Sequence, residues 1–107
     1  MIAIDLTEDL KKSFQKDGFL ILEKFLESQF IPNLSEKFPK LFSGDFETGI
    51  EPDEWNWRQG QDPENVTRQI CNAWKSDKLV KDLVCHEVLG KACAELMNWT
   101  GSRLLQD

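Results

Sequence analysis

The side chains that could do chemistry in this chain centre on a single histidine, His86. A two-histidine, one-carboxylate iron site or a three-histidine zinc site therefore cannot be built within one copy. Cys85, His86 and Glu87 are adjacent, and three successive side chains on a helix fan out over roughly 200° instead of converging. We therefore predict that His86 lies on a helix surface, or is partly buried with its polar atoms satisfied, and that no residue of this chain binds a metal.

The three cysteines, Cys71, Cys85 and Cys93, are the candidate nucleophiles. They have no CxxC spacing, and any of them would need His86 as its base. We predict that Cys71 and Cys93 are small buried hydrophobic residues instead. A cysteine-dependent redox protein is kept as an alternative, and it requires an activated thiol that alkylates quickly and selectively.

Trp55, Trp57 and Arg58 lie in an irregular, acidic stretch from Asp45 to Pro63. Two indoles and a guanidinium on a loop could line a substrate entrance, where they would offer stacking and a partner for an anion. The same rings could instead fold back and pack against the helices, a reading we favour slightly. The acids of this stretch lack the ligand order of a calcium loop, so a solvated loop is predicted.

The elements that must position these residues are mainly helices. Thr7 is predicted to cap a first helix that ends at Asp17-Gly18. A second helix, capped by Ser28 and closed by Ser43-Gly44, is predicted to kink or restart at Pro39. The apolar stripes of these two helices comprise Leu6, Leu10 and Phe14, and then Phe30, Leu34, Phe38 and Phe42.

The later part of the chain is also predicted to be helical. Residues Val66 to Trp74 suggest one or two helical turns, and a longer helical region starts at Ser76-Asp77 and stops at Thr100-Gly101. Two short apolar runs read as strands, Phe19-Leu20-Ile21-Leu22 and Arg103-Leu104-Leu105-Gln106. The predicted fold class is therefore α+β, mostly helical, in one domain over residues 1–107.

Composition excludes several classes of partner. The formal net charge of −6 argues against nucleic acid, because binding to phosphates needs clustered Lys and Arg. No apolar run approaches the roughly 18 residues of a membrane span. The amino terminus carries Asp5, Glu8 and Asp9 and has no basic region of a signal peptide. We therefore expect a cytoplasmic protein that binds neither nucleic acid nor membrane.

The order of these elements resembles the amino-terminal part of the phytanoyl-CoA dioxygenase family. The resemblance begins with a capped helix that runs into Phe14-Gln15-Lys16-Asp17-Gly18-Phe19-Leu20-Ile21-Leu22, followed by Phe25-Leu26 and a turn at Ser28. It continues through Arg68-Gln69-Ile70-Cys71-Asn72-Ala73-Trp74 and ends with Trp99-Thr100-Gly101-Ser102-Arg103-Leu104-Leu105-Gln106-Asp107. It covers essentially the whole chain, and its individual motifs are weak while their order is more specific.

The resemblance implies a non-haem Fe(II), 2-oxoglutarate-dependent oxygenase built on a double-stranded β-helix, or jelly roll. In that family a His-x-Asp pair and a distal His bind iron, and all of them follow the position of Gln106. This chain has no His-x-Asp and no second His, so no ligand role is transferred to His86. Only Gln106 matches a position that faces the 2-oxoglutarate or substrate pocket in some relatives, and packing at a sheet edge is its alternative.

We therefore expect the helical amino-terminal portion of such an oxygenase, incomplete and inactive as written, which would meet a small-molecule substrate only once completed. The rival interpretation is a small acidic helical interaction module derived from such an enzyme. It would have to bury its apolar helix faces by self-association.

Overall fold

The computed structural model describes residues 2–107, in which short helices and one two-stranded antiparallel sheet form a small α+β fold. The elements in chain order are α1 (Glu8–Asp17), α2 (Phe30–Ser35), α3 (Lys37–Ser43), β1 (Glu54–Trp55), β2 (Ile70–Cys71), a 3₁₀ turn (Ala73–Lys75), α4 (Lys78–Val84) and α5 (Glu87–Leu96). The predicted α+β class is confirmed at this level, whereas the relationship to a jelly roll stays a prediction.

Helix α1 begins and ends where its sequence predicts. The Thr7 hydroxyl accepts a hydrogen bond from the Leu10 N–H at 3.3 Å, which satisfies one of the free amides of the first turn. Gly18 takes a φ of 77°, and its N–H donates to the Phe14 carbonyl at 2.8 Å. No residue of α1 is fully buried, so this helix lies against the rest of the chain without entering the core.

The second predicted helix is divided in two around Glu36, as Pro39 requires. Proline has no N–H to donate to the carbonyl of Ser35, four residues earlier, and its ring crowds that carbonyl. Helix α2 therefore ends at Ser35 and α3 begins at Lys37. The predicted Ser28 cap is wrong: α2 starts after Gln29 without a side-chain cap, and the Phe30 N–H donates to the Glu27 carbonyl at 2.9 Å.

Gly44 ends α3 in a conformation that only glycine takes readily, with φ at 84°. A Cβ at this position would also lie 2.6 Å from Cη2 of Trp55. We expect Gly44→Ala to lower the free energy of unfolding by about 2–4 kcal/mol, because backbone strain and overpacking act together. Gly18→Ala is the matched control, since its φ is similar and no atom lies within 4 Å of its added Cβ. Equal losses in urea denaturation of the two variants would contradict a contact with Trp55.

Neither of the two predicted apolar strands forms within residues 2–107, so both assignments are wrong for these residues. Phe19 and Ile21 are 61% and 73% exposed, and Ile2 pairs with Leu26 in an isolated bridge nearby. Residues 103–106 have no strand assignment either. A strand needs a neighbouring backbone for its ladder, and neither run has one among the described residues.

The long carboxy-terminal helical region is interrupted, which the sequence prediction missed. Cys85 ends α4, and His86 takes an extended conformation before α5. Helix α5 stops before Thr100-Gly101, because Asn98 has a φ of 55° and the Trp99 N–H donates to the Ala94 carbonyl at 2.8 Å. The predicted turns from Val66 to Trp74 are wrong except at the 3₁₀ turn, since Ile70 and Cys71 form β2.

The core is small and lies between α3, the 3₁₀ turn and α4. Leu41, Ala73 and Val80 are its buried centre, and the partly buried residues around them are Leu34, Phe46, Ile70, Trp74 and Val84. The radius of gyration is 16.2 Å, against about 13 Å for a compact chain of this length. Within residues 2–107, no helix has the length and apolar character needed to cross a membrane.

Candidate functional site

Trp57, a predicted substrate-entrance residue, is buried beneath the acidic loop. Its side chain is 2% exposed, and its Nε1–H donates to the Pro63 carbonyl at 2.7 Å. The ring of Phe42 meets it edge-on with centroids 5.6 Å apart, and the Arg68 guanidinium lies 3.9 Å from its ring centre. These contacts give Trp57 a packing role, because its polar atom and both sides of its ring already have partners.

Trp55 and Arg58 form a second stack nearer the surface. The Arg58 guanidinium lies 4.3 Å from the Trp55 ring centre, and Phe46 packs edge-on against the same indole at 5.2 Å. The Trp55 Nε1–H is buried without an acceptor. Arg58 itself is exposed, and its backbone N–H donates to the Asp62 carboxylate at 2.7 Å. Of the three predicted entrance residues, Arg58 is therefore the most exposed.

His86 lines a groove of about 1070 Å³ between α1, α5 and the residues after α5. It is half-buried, and its Nδ1 accepts a hydrogen bond from the Val88 N–H at 3.2 Å. The imidazole therefore caps α5 through Nδ1, which agrees with the partly buried position predicted for it. The exposed Trp99 ring lies in the same groove.

Ion pairs neutralise most charges along this groove. Lys11 bridges α1 to α5 through Glu95 at 2.5 Å, and hydrogen bonds to Glu95 and then to Glu8 raise the pKa of Lys11. Lys91 pairs with Glu87 at 2.5 Å, and this hydrogen bond lowers the pKa of the Glu87 carboxyl. These exposed pairs hold α1 on α5 weakly, and they leave no concentrated charge that would select a charged ligand.

The cysteines divide between the core and the surface. Cys71 is 4% exposed, so its predicted burial is confirmed. Cys93 is exposed, and its predicted burial is wrong, because α5 turns its Ala92 and Ala94 neighbours toward the protein. Cys85 is also exposed. Among residues 2–107 no three His, Cys, Asp or Glu side chains come together in a way that could hold a metal ion.

A polar cluster that sequence reasoning missed joins three distant parts of the chain. Asp53 accepts hydrogen bonds from the Asn72 amide at 2.5 Å and from the Lys75 ammonium at 2.7 Å. The Asn72 N–H donates to the Asp107 carbonyl at 3.2 Å, and burial raises the pKa of the Asp107 side chain. The hydrogen-bonded partners in this cluster are up to 35 positions apart, so no local pattern in the sequence indicates the cluster.

Asp53 gives this cluster a defined pH dependence. Hydrogen bonds from Lys75 and Asn72 lower the pKa of the Asp53 carboxyl below its ordinary value. The ionised Asp53 carboxylate therefore stabilises the folded chain fully above its unfolded-state pKa, and this stabilisation is lost as the pH falls through its folded-state pKa. We expect urea denaturation of Asp53→Asn to show less loss of stability than wild type between pH 5 and pH 3, roughly the range of an acidic carboxyl. Asp45→Asn is the control and should follow wild type; coincident profiles for both variants would contradict the assignment.

Gln106, the predicted co-substrate residue, is exposed and makes no hydrogen bond among the described residues. The structure does not bring it together with Trp55, Trp57 or Arg58 in any of its grooves. Its role and the role of the predicted entrance stay predictions.

Comparisons of this chain with protein-family models, with curated proteins and with solved structures find no match.

Proposed function

We propose that this chain is the amino-terminal helical portion of a phytanoyl-CoA dioxygenase-like oxygenase of the cytoplasm. In this proposal its helices support one sheet of a double-stranded β-helix, and the loop from Asp45 to Pro63 borders the substrate entrance. The observation that carries it is the exposure of the two apolar runs that the sequence pattern predicts as strands. Both lack strand partners within residues 2–107, and Phe19, Ile21 and Leu105 are 61%, 73% and 93% exposed.

The expanded shape supports the same proposal. Burying a large apolar side chain stabilises a fold by about 1.5–3 kcal/mol, so a sheet that covers several of them would stabilise this chain. Ile31, Phe38 and Trp99 are also at least 46% exposed, and the longest dimension is 48 Å against 28 and 26 Å. A sheet packed over these residues would bury them.

The residues present do not fit the Fe(II) and 2-oxoglutarate that the family would use. His86 is the chain's one imidazole, its Nδ1 is occupied by the Val88 N–H, and residues 2–107 hold no cluster of three potential ligands. We therefore derive no chemical step for this chain. Its proposed contribution is to support the sheet and to shape the entrance.

The transcript beyond the codon for Asp107 tests this proposal first. An open frame that encodes a His-x-Asp pair soon afterwards would support it, whereas an immediate stop codon would leave no sheet for these helices to support and would contradict it.

We also expect the purified 107-residue chain to form no succinate above background with ferrous iron, 2-oxoglutarate and candidate substrates, because the iron ligands are missing. Substrate-dependent succinate from this chain alone would contradict the assignment of its role as structural. Heat-denatured chain is the matched control for background turnover.

The rival, a small acidic interaction module, is favoured by one specific observation. The chain forms a core of its own around Leu41, with Trp57 and Ser76 fully buried beside it. A sharp thermal transition of the isolated chain, with a defined oligomer on sizing, would support the module. Retained helical signal without a cooperative transition would support the enzyme portion instead.

A further inference from the structure

The terminal segment, residues 103–107, is fixed at its two ends and unpaired between them. Before it, the Ser102 hydroxyl donates to the Gly90 carbonyl at 2.7 Å. At its end, Asp107 exchanges hydrogen bonds with Asn72, at 3.2 and 3.4 Å. Among the described residues, 103–106 take part in no hydrogen bond. The segment therefore presents free backbone donors and acceptors, the condition in which an exposed edge pairs with another chain.

The side chains of the terminal segment are arranged to complement themselves. Leu105 is 93% exposed, more than any other large apolar side chain in residues 2–107. Arg103 lies two residues before it and Asp107 two residues after it, and neither forms an ion pair within the part of the chain that the structure describes. When the segment pairs as a β-strand, these three side chains share one face, and the order along that face is positive, apolar, negative. The half-buried Asp107 carboxylate accepts from the Trp74 N–H through Oδ1 at 3.5 Å, and its Oδ2 has no hydrogen bond among the described residues.

We propose that the terminal segment pairs antiparallel with the terminal segment of a second copy, with Leu105 opposite Leu105 and each Arg103 opposite Asp107 of the partner subunit. In an antiparallel pair the order positive, apolar, negative runs in opposite directions in the two copies. Opposite charges therefore meet at both ends, and the Leu105 side chains meet at the centre. The interface is isologous, so it closes at two copies. Since the segment is formally neutral and the rest of the chain carries the whole net charge of −6, this local complementarity selects the segment over other surfaces.

The contact with Asn72 determines which edge of the segment is free. In an extended chain the N–H and C=O of alternate residues point to opposite edges. Asp107 directs its N–H and C=O toward Asn72, so Leu104 and Gln106 direct theirs to the other edge. Pairing there makes the Leu105 pair and the Arg103–Asp107 pairs non-hydrogen-bonded, the positions where facing Cα atoms approach to about 4.5 Å.

This pairing concerns the 107-residue chain and does not rest on the proposed oxygenase function. Other apolar surfaces, such as the groove lined by Phe38, Leu83 and Val84, are the competing sites of self-association. They offer no comparable charge pattern, which is why we assign the contact to the terminal segment.

Sedimentation equilibrium of the purified chain and a set of variants tests the proposal. We expect wild type to form a dimer at high concentration, and Leu105→Asp to abolish it. Arg103→Glu and Asp107→Lys should each weaken the dimer roughly tenfold or more, since two attractive pairs become repulsive. The double variant R103E/D107K should restore it to near wild type, which distinguishes a charge contact from a general loss of folding. Val66→Asp is the control, because Val66 is 46% exposed and lies outside the segment.

Several results would overturn the proposed pairing of terminal segments. A chain that stays monomeric at all concentrations overturns the proposal. A dimer that survives Leu105→Asp, or one that the double variant fails to restore, also overturns it. A dimer lost in Phe38→Asp but kept in Leu105→Asp assigns self-association to the helical groove instead.

Discussion

Trp57→Ala is expected to lower the free energy of unfolding by about 3–5 kcal/mol, the cost of removing a large aromatic side chain from a core. Small domains are stable by only about 5–15 kcal/mol, so this variant should be largely unfolded in mild denaturant. The large effect follows from the position of the indole, which is 2% exposed and packs edge-on against Phe42. Urea denaturation followed by circular dichroism measures it.

Trp57→Phe separates the hydrogen bond from the packing. Phenylalanine keeps most of the apolar contact but cannot donate to the Pro63 carbonyl, which accepts from Nε1 at 2.7 Å. We expect an intermediate loss of about 1–3 kcal/mol, because the carbonyl is left without its partner. Trp99→Ala is the matched control, since Trp99 is 60% exposed and should cost little. If Trp57→Ala were as mild as Trp99→Ala, the indole could not be part of the fold's interior.

Asp77→Ala is expected to lower the free energy of unfolding by about 2–4 kcal/mol. Its side chain is the cap of α4 and accepts hydrogen bonds from the Leu79 and Val80 N–H groups at 2.8 and 3.1 Å. Asp77 is only 4% exposed, and the Lys37 ammonium lies 3.3 Å from its other oxygen. The substitution therefore leaves two amides without their acceptor and leaves Lys37 with only its longer ion pair, to Glu47 at 3.8 Å.

Two further variants show whether the cap of α4 or the ion pair with Lys37 contributes more to stability. Asp77→Asn keeps an oxygen for the cap and loses the ion pair with Lys37, so about 1 kcal/mol of loss is expected if the cap dominates. Thr7→Ala removes the corresponding cap from α1, where both partners are exposed, and should cost about 0.5–1 kcal/mol. Chemical denaturation of Asp77→Ala, Asp77→Asn and Thr7→Ala in parallel ranks their losses of stability. Equal losses for Asp77→Asn and Asp77→Ala would contradict a dominant cap.

Local signals in the sequence were sufficient for features that depend on a few neighbouring residues. Thr7 and Gly18 bound α1 as predicted, and Pro39 divides the second helix because a missing N–H acts within four residues. Asp77 was recognisable as a helix start for the same reason. The predicted α+β class is also confirmed, although the strands that form, Glu54–Trp55 and Ile70–Cys71, are not the two that were predicted.

Local signals failed where a segment can adopt two different structures that suit its neighbouring residues equally well. The apolar spacing from Leu79 to Leu96 is continuous, yet His86 interrupts it, because its Nδ1 can accept from the Val88 N–H and so start a new helix. Phe19-Leu20-Ile21-Leu22 has the composition of a strand but lacks a partner among the described residues. Strand formation is decided by the neighbouring backbone, which the run itself does not encode.

The sequence by itself determined the caps, the proline break and the chemistry that one histidine excludes, since these depend on residue type and short spacing. Only the tertiary structure decided that Trp57 is interior while Arg58 is exposed, and that Asp53, Asn72 and Lys75 meet. The physical reason is that burial and long-range hydrogen bonds are properties of the packed chain. Adjacent residues with similar local preferences can therefore end in opposite environments.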